Sequence, residues 1–204
     1  ITALQRSGRF SLTRPGLTTW TSRGGGAIEK AYFIPDTPDQ VLVEFDYSNA
    51  DARAVAALSG DREFAKRFEP GADGHDISGE IFFGHKKYYA ELGPDGRSVL
   101  RQTAKVGAHS LSYRVGGKKL ASSLKIDVDL AYEMIDKYHQ AYPDVLRWQN
   151  RVTDEGDSGF VTNSWGRRMV VDPERSFTQS SALYGQSTTR ETLVDGLIAL
   201  GDMI

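Results

Sequence analysis

The stretch VLVEFDYSNADARAVAALSG, residues 41–60, decides most of what this sequence predicts about its fold. Its start, 41–45, is largely apolar and β-branched and follows turn residues, which is typical of a mostly buried strand. The alanine-rich run 49–58 favours a helix that ends at Gly60. The stretch therefore predicts a strand, a tight turn and a helix in direct succession, with Asp46 at the end of the strand.

Asp46 is the first candidate for chemistry. A carboxylate at the end of a rigid, buried strand is well placed to hold a divalent cation, and hard oxygen ligands suit Mg2+. The same side chain could instead cap the helix that begins near Asn49. The local pattern leaves both interpretations of Asp46 open.

The rest of the chain is mainly helical in pattern, with one hairpin. Further helices are predicted over 62–68, 75–83, 97–113 (ended by Gly116-Gly117), 128–141, from 143 onward, and from 176 to the C terminus. Two short strands, 160–162 and 168–171, flank a turn at 163–166 and indicate a hairpin. Residues 1–27 lack periodicity and are expected to be irregular up to the flexible run Gly24-Gly25-Gly26, while Tyr138 and Tyr142 are expected in the core.

Composition sets the broad class. The chain has 204 residues, no cysteine and a net charge of -2, so a soluble globular protein in a reducing cytoplasm is expected, without a disulfide framework or a thiolate zinc site. No apolar run reaches membrane-spanning length, so no membrane partner is expected. The absence of an initial methionine suggests a piece of a longer reading frame. Because the charges balance, any binding of nucleic acid must come from local patches.

One such patch lies on the helix predicted after Arg97. Arg101, Lys105, His109 and Tyr113 recur every four positions and therefore share one helix face. From residue 101 to residue 125 there are six Lys or Arg residues and no Asp or Glu. This local positive field would attract a polyphosphate, although a merely solvated helix face is the alternative interpretation.

Several segments, in this order, resemble the conserved motifs of family A (polymerase I-like) DNA polymerases. DYSNADARAVAALSGD (46–61) resembles motif A, and RQTAKVGAHSLSYRVG (101–116) resembles motif B. The segments with weaker likenesses are SGRFSLTRPGL (7–17), DGHDISGEIFFG (73–84), YHQAYPDVLRW (138–148), GFVTNSWGRR (159–168) and GQSTTRETLVDGLI (185–198). The likeness covers nearly the whole chain.

The resemblance implies a reaction, a set of partners and a set of site residues. Template-directed DNA synthesis from dNTPs on primer–template DNA is implied, with two Mg2+ ions. Asp46 and the Tyr47 carbonyl match the metal ligands, and Asp46 and Lys105 are the implied catalytic residues. The implied dNTP-binding residues are Tyr47, Asn49, Asp51, His75, Arg101, Lys105, His109 and Tyr113, with Arg101 and Lys105 clamping the triphosphate. The implied DNA-binding residues are Arg9, Arg23 and Gln186.

The sequence departs from the family pattern near the sugar of the nucleotide. Asp51 stands where the family has a glutamate that excludes the ribose 2'-hydroxyl, and His109 replaces an aromatic residue of motif B. Ser110, Arg114 and Ser187 replace glycines. Sugar selectivity is therefore left open, and the departures indicate a divergent member of phage or bacterial origin.

The implied architecture is α+β, with mostly helical fingers inserted in a partial antiparallel-sheet palm. The palm is expected over 1–69 and 176–204, and the fingers over 70–175. The motif C carboxylate of the family should follow the last helix, so the remainder of a polymerase chain is an expected partner and the 204 residues alone are expected not to polymerise. A relative of the single-subunit RNA polymerases and a non-catalytic nucleic-acid-binding fragment are the alternatives.

Overall fold

The structure, a computed structural model, describes residues 2–3, 5–11, 33–43 and 46–201. The helices are α1 Ala50–Ser59, α2 Arg62–Ala65, α3 Gly74–Phe83, α4 His85–Tyr88, α5 Arg101–Ser112, α6 Gly117–Leu124, α7 Val128–Ala141, α8 Pro143–Gly156 and α9 Ser176–Gly201. The strands are β1 Thr2–Ala3, β2 Phe10–Ser11, β3 Phe160–Thr162 and β4 Arg168–Val170, and short 3-10 turns cover Lys66–Phe68 and Pro173–Arg175. The predicted α+β class is confirmed.

Two antiparallel ladders make up the sheet structure of the described residues. β1 pairs with β2, so the prediction of irregular chain at the N terminus is wrong for these residues. β3 pairs with β4 in the register Phe160–Val170, Val161–Met169 and Thr162–Arg168, which confirms the predicted hairpin. Val161 and Met169 are buried opposite one another, so the hairpin packs one face on the core.

The strand predicted over 41–45 is wrong for its described part, residues 41–43. These three residues have no regular secondary structure, and Val41, Leu42 and Val43 are exposed. A β-strand needs a hydrogen-bonded neighbour, and no strand in the described ranges pairs with this segment. Apolar, β-branched composition alone was therefore not sufficient to place it in a sheet.

Most predicted helices are confirmed, with corrections around α5. The helix begins at Arg101 rather than Arg97, because the Ser98 hydroxyl binds the Tyr88 carbonyl and its main chain pairs with Leu92. α5 ends at Ser112 with Tyr113 as its C-cap, and Gly116, which the sequence predicted to stop this helix, is the N-cap of α6, a helix the sequence did not predict. The short α4 was likewise not predicted.

Aromatic side chains form the centre of the core. The Phe64 ring meets Tyr142 edge-on with centroids 5.0 Å apart, and Tyr138 lies 5.1 Å from Tyr142. All three are buried, which confirms the prediction for the two tyrosines. Edge-to-face packing of this kind stabilises a core beyond the burial of its area. The cluster joins α2 to α7 and to the residue that precedes α8.

One buried carboxylate holds the start of two helices. Oδ1 of Asp61 accepts from the Phe64 amide at the N terminus of α2. Its Oδ2 accepts from the Asp144 and Val145 amides, 3.0 and 3.3 Å away, at the N terminus of α8. A carboxylate satisfies amides that have no partner within the helix and is favoured by both helix dipoles. Asp61 thereby fixes the end of α1 against α8.

The end of α5 is tied to α8 and α9 by Arg114. This residue has a positive φ of 57°, in the left-handed region that favours glycine. Its guanidinium donates to the Gln149 carbonyl, Asn150 and Thr153, and lies 4.3 Å from the centroid of the Phe177 ring. These contacts offset the strain of a backbone conformation that glycine would adopt freely.

Candidate active site

A cleft of about 870 Å3 opens between α1, α3, α5 and α9. Asp46, Tyr47 and Asn49 enter it from the turn before α1, and β2 contributes at the rim. Its lining includes ten of the residues predicted for the site, namely Arg9, Asp46, Tyr47, Asn49, Asp51, His75, Arg101, Lys105, His109 and Tyr113. The cleft therefore gathers residues that lie far apart in the sequence.

The predicted face of α5 forms one wall of this cleft. Arg101, Lys105 and His109 line it, whereas Ala104 and Leu111 on the other side of α5 are buried in the core. The four-residue spacing thus follows from the helical period, with the apolar stripe inward and the cationic stripe toward the cleft. The alternative of a merely solvated helix face does not describe this wall, since it lines a concave surface.

Arg101 is held in place by two acidic residues at the start of α3, the N-cap Asp73 and Asp76 in the first turn. Its Nη2 lies 2.5 Å from Asp73 Oδ2, and its Nε lies 3.3 Å from Asp76 Oδ1. Asp73 also caps α3 by accepting from the His75 and Asp76 amides. Burial works against the charge of Asp73, but the bonds from Arg101 and these amides hold the pKa of Asp73 below its usual range.

His75 lies in the first turn of α3, next to this cluster. Burial lowers the pKa of His75, and the positive charge of Arg101 lowers it further, with smaller contributions from Lys105 and Arg67. The imidazole is therefore neutral near pH 7. His75 lines the cleft together with Arg101 and Lys105.

The opposite wall carries Asp46 and Asp51. Asp46 is exposed and has no hydrogen bond or ion pair within the described part of the chain, and the N-cap of α1 is Asn49 in a left-handed conformation. The helix-cap interpretation of Asp46 is therefore wrong. The turn is instead shaped by Arg53, whose Nε donates to the Ser48 carbonyl and whose guanidinium stacks on Phe68.

The oxygen donors on this wall match part of a Mg2+ site. The Asp46 carboxylate lies free at the cleft, and the Tyr47 carbonyl accepts one bond of 3.3 Å from the Ala50 amide, which leaves a second lone pair. Both are hard oxygen donors of the kind Mg2+ prefers. In the described ranges, no three Asp, Glu, His or Cys side chains cluster around a common point.

A second carboxylate, Asp51, lies in the first turn of α1. Its Oδ1 accepts a 3.0 Å hydrogen bond from the Thr189 hydroxyl of α9. The hydroxyl of Tyr113 is also buried. Burial raises the pKa of Tyr113, and the charge of Asp51 and a hydrogen bond to Asp51 raise it further. The ring of His109 packs edge-on against that of Tyr113 with centroids 5.3 Å apart.

The structure adds cations that the sequence did not predict. Arg190 of α9 lines the cleft, lies 5.2 Å from the centroid of the Phe10 ring and pairs with Glu191, which also holds Arg167. Nothing in the local sequence distinguishes Arg190 from a surface arginine, because its position depends on contacts with β2. Arg67 also lines the cleft. Of the remaining predictions, Gln186 is half-buried on α9 outside this lining, and Arg23 lies outside the described residues.

Cationic side chains outnumber carboxylates in the cleft lining. The cations are Arg9, Arg67, Arg101, Lys105 and Arg190, and the carboxylates are Asp46, Asp51 and Asp73. A concave, low-dielectric surface focuses such a field. The fold and the cleft therefore define an α+β protein suited to an anionic ligand.

Comparison with known proteins identifies the family. The family model for DNA polymerase family A matches residues 2–191, and the chain belongs to that family. It is 32% identical over 197 residues to the DNA polymerase of Mycobacterium phage D29, covering 96% of this chain and 30% of that protein. It is 31% identical to DNA polymerase I of Streptococcus pneumoniae, over 96% of this chain and 22% of that protein.

The fold is also that of a solved polymerase structure. The POL domain of Pol1 from M. smegmatis, in complex with DNA primer-template and dNTP, matches with a TM-score of 0.66 and 22% identity. The match covers 91% of this chain and 32% of that one. The chain thus spans about a third or less of the length of these proteins. No described helix has the length and apolar character needed to cross a membrane.

Proposed function

We propose that this chain binds a deoxynucleoside triphosphate in the cleft and serves template-directed DNA synthesis. The observation that supports this most strongly is the juxtaposition of the α5 wall, with Arg101 and Lys105, and the Asp46 wall in one cleft. In the reaction, the primer 3'-hydroxyl attacks the α-phosphorus of the dNTP, and the bond to pyrophosphate breaks. Positioning and charge stabilisation account for most of the catalysis of such transfers.

The cationic wall is assigned to the triphosphate. Lys105 has no ion-pair partner in the described ranges and offers a mobile ammonium, whereas Arg101 offers a guanidinium already oriented by Asp73. His75 stands beside both and donates a further hydrogen bond to a phosphate oxygen. His109 and Tyr113 continue the same wall and are assigned to the sugar and base of the nucleotide.

The Asp46 wall is assigned to metal. Asp46 and the Tyr47 carbonyl would hold Mg2+, two ions of which neutralise charge on the phosphates when bound. Asp46 is exposed, so ion binding does not require the protein to open. Asn49, in its left-handed conformation, sets the direction in which the Asp46–Tyr47 segment enters the cleft.

Arg9 is assigned to primer–template DNA together with Gln186 and Arg23. Arg9 lies at the cleft rim, where a duplex would end at the bound nucleotide. Residues 1–69 and 176–204 are assigned to the palm and 70–175 to the fingers, in the cytoplasm of a bacterium or a phage-infected host. The phage and bacterial relatives support this setting.

Nucleotide binding by the chain itself tests the proposal. With Mg2+ and a recessed primer–template, dATP titrated opposite a templating dT should bind to the wild type and bind at least tenfold more weakly to Lys105→Ala. Arg97→Ala is the matched control, because Arg97 is a nearby exposed cation outside the cleft lining. Equal loss in both variants, or no binding by the wild type, would refute the assignment.

Primer extension tests the chemistry. A chimera of the phage D29 polymerase that carries this chain in the matched region should extend a primer, and Asp46→Asn in the chimera should abolish extension while dATP still binds. Extension that persists in Asp46→Asn would show that the metal assignment is wrong. Preferential use of rNTPs over dNTPs by the chimera would contradict DNA synthesis.

A further inference from the structure

The cations that line the cleft fall into two groups. Arg101 and Lys105 lie near His75, because their charges add to the effect of burial in lowering the pKa of His75. Arg9 instead lies near Tyr113, where burial raises the pKa and the charge of Arg9 opposes that rise. Arg101 and Tyr113 stand at opposite ends of α5, roughly 18 Å apart along the helix axis. The two groups of cations are therefore too far apart to hold the same phosphate.

Arg190 of α9 belongs to the second group. Its guanidinium lies 5.2 Å from the centroid of the Phe10 ring, and Phe10 is the residue that follows Arg9. The Tyr113 ring lies against Gly185, a little over one turn before Arg190 on the same helix. Arg9 and Arg190, the rim arginines, thus form a second cationic surface at the Tyr113 end of α5.

Other protein groups occupy only part of the Arg190 guanidinium. Its Nη1 lies 2.5 Å from Glu191 Oε2, and the same carboxylate also accepts a hydrogen bond from Arg167. Among the described residues, no other group accepts from Arg190, and its Nε has no partner. One carboxylate shared by two arginines leaves a net positive charge. Since a guanidinium has five N–H donors and this one lines the cleft, it can bind a further anion there.

The acidic wall contacts α9 on either side of Arg190. Asp51 accepts the hydrogen bond from Thr189, and the Tyr47 hydroxyl lies against Gly196. Arg190 therefore lies beside the wall assigned to Mg2+ and away from the triphosphate end of α5. In an in-line displacement, the attacking 3'-hydroxyl and the leaving pyrophosphate lie on opposite sides of the phosphorus. The end of the primer therefore falls on the side of the rim arginines.

We propose that Arg190 is a DNA-binding residue that contacts the phosphate between the last two nucleotides of the primer. This phosphate is the anion of the primer that lies closest to its 3'-hydroxyl, and a guanidinium forms strong, charge-assisted hydrogen bonds with phosphate. The contact positions the 3'-hydroxyl without reading the base sequence. The inference rests on the proposed function and adds to it a residue that holds the primer backbone.

A neutral linkage in the primer tests this contact. With a methylphosphonate at its last linkage, the primer–template should bind the wild type about five- to tenfold more weakly than the unmodified duplex does, as expected of one charge-assisted hydrogen bond. Arg190→Gln should lose a similar factor with the unmodified duplex and nothing further with the methylphosphonate. Its log Kd should also depend less steeply on log salt concentration, by about 0.9 for one phosphate contact. Fluorescence anisotropy measures each Kd.

A matched control separates this contact from the ion pairs of Glu191. Arg167→Gln makes the same exchange at the other arginine bound to Glu191, and Arg167 lies outside the cleft lining. This variant should keep the wild-type loss of affinity for the methylphosphonate duplex. A methylphosphonate several linkages upstream should weaken binding by the same factor in the wild type and in Arg190→Gln. A thermal midpoint for each variant checks that it is folded.

The outcomes distinguish this inference from the proposed function. If the wild type binds primer–template but tolerates the terminal methylphosphonate, the role of Arg190 is refuted and the nucleotide site stands. Loss of the methylphosphonate effect in Arg167→Gln also refutes it, since the effect would then belong to the Glu191 ion pairs. Weaker dATP binding by Arg190→Gln, with the methylphosphonate effect intact, would assign Arg190 to the triphosphate instead. If the wild type binds no primer–template, the proposed function fails, and the inference fails with it.

Discussion

The two walls of the cleft are built in different ways. The α5 wall rests on buried Ala104 and Leu111, and its Arg101 is fixed by Asp73 and Asp76. The Asp46 wall follows a segment, 33–43, in which Val41 is 80% exposed and no residue lies in a helix or strand.

The difference shows which wall of the cleft is held in place by packing against the core. The cationic wall is preorganised by the core of the helical body and needs no ligand to form. On the acidic wall, the turn that carries Asp46 is held by Arg53, which donates to the Ser48 carbonyl, and by Tyr47, whose hydroxyl lies against Gly196 of α9. A polyanion therefore finds the cationic wall of the cleft already formed.

The largest expected effect tests the packing contrast directly. Leu111→Ala should lower the free energy of unfolding by about 2–5 kcal/mol, because it leaves a cavity beneath the cationic wall. Leu42→Ala removes the same atoms from a side chain that is 62% exposed and should cost less than about 0.5 kcal/mol. Urea denaturation of both variants measures the difference. Similar losses would mean that 33–43 is packed as firmly as α5.

A smaller loss is expected where Asp61 joins the two helix starts. Asp61→Ala leaves the amides at the N termini of α2 and α8 without an acceptor and should cost about 2–3 kcal/mol. Asp61→Asn keeps one acceptor oxygen and should fall between this variant and the wild type. If the asparagine variant is as unstable as the alanine one, the negative charge, not the two caps, is what matters.

The protonation of His75 should tie the affinity of the cationic wall to pH. The pKa of free His75 lies below its ordinary value of 6.5, and a bound triphosphate raises it by adding negative charge. The extra affinity from protonation is therefore fully present below the free pKa and is lost as pH rises through the bound pKa. Wild type should bind dATP about five- to tenfold better than His75→Asn at pH 6, with a smaller advantage at pH 8.5.

Calorimetry provides the measurement. The ratio of the Kd values of the two proteins cancels the ionisation of the nucleotide itself, which both share. Wild type should also take up more protons on binding than His75→Asn in buffers of different ionisation enthalpy. A Kd ratio that does not vary with pH would show that His75 gains no proton on binding, and a ratio of one at every pH would place His75 outside the phosphate contacts.

The smallest effect is expected at the ion pair that orients Arg101. Asp73→Asn retains an N-cap for α3 but removes the charge facing Arg101, and should cost less than about 1 kcal/mol because both groups are partly exposed. Asp73→Ala loses the cap as well and should cost about 1 kcal/mol more. Chemical denaturation at low and high salt would separate the two terms, since only the ion pair is screened.

The sequence predicted the α5 wall well because the residues of this wall recur with the period of a helix. The four-residue spacing from Arg101 to Tyr113 fixes which residues share a face whatever the tertiary context. The segment 41–43 was mispredicted because strand formation depends on a partner that local composition does not specify.

The sequence could not predict contacts between distant parts of the chain. The bond between Asp51 and Thr189 and the placement of Arg190 beside Phe10 depend on how α9 packs against α1 and β2. A threonine or an arginine on a helix carries no sign of such a partner. The family resemblance placed Asp51 in the site, but only the structure shows its hydrogen bond with Thr189.

The attachment of Arg114 to α8 and Phe177 has a mechanical consequence. Arg114 anchors the C-terminal end of α5, while Arg101 lies at the N-terminal end of the same helix. With a rise of 1.5 Å per residue, the arm from Ser112 to Arg101 is about 16 Å long, so a tilt of roughly 10° displaces Arg101 by about 3 Å. A tilt of this size about Arg114 would break the 2.5 Å contact between Arg101 and Asp73.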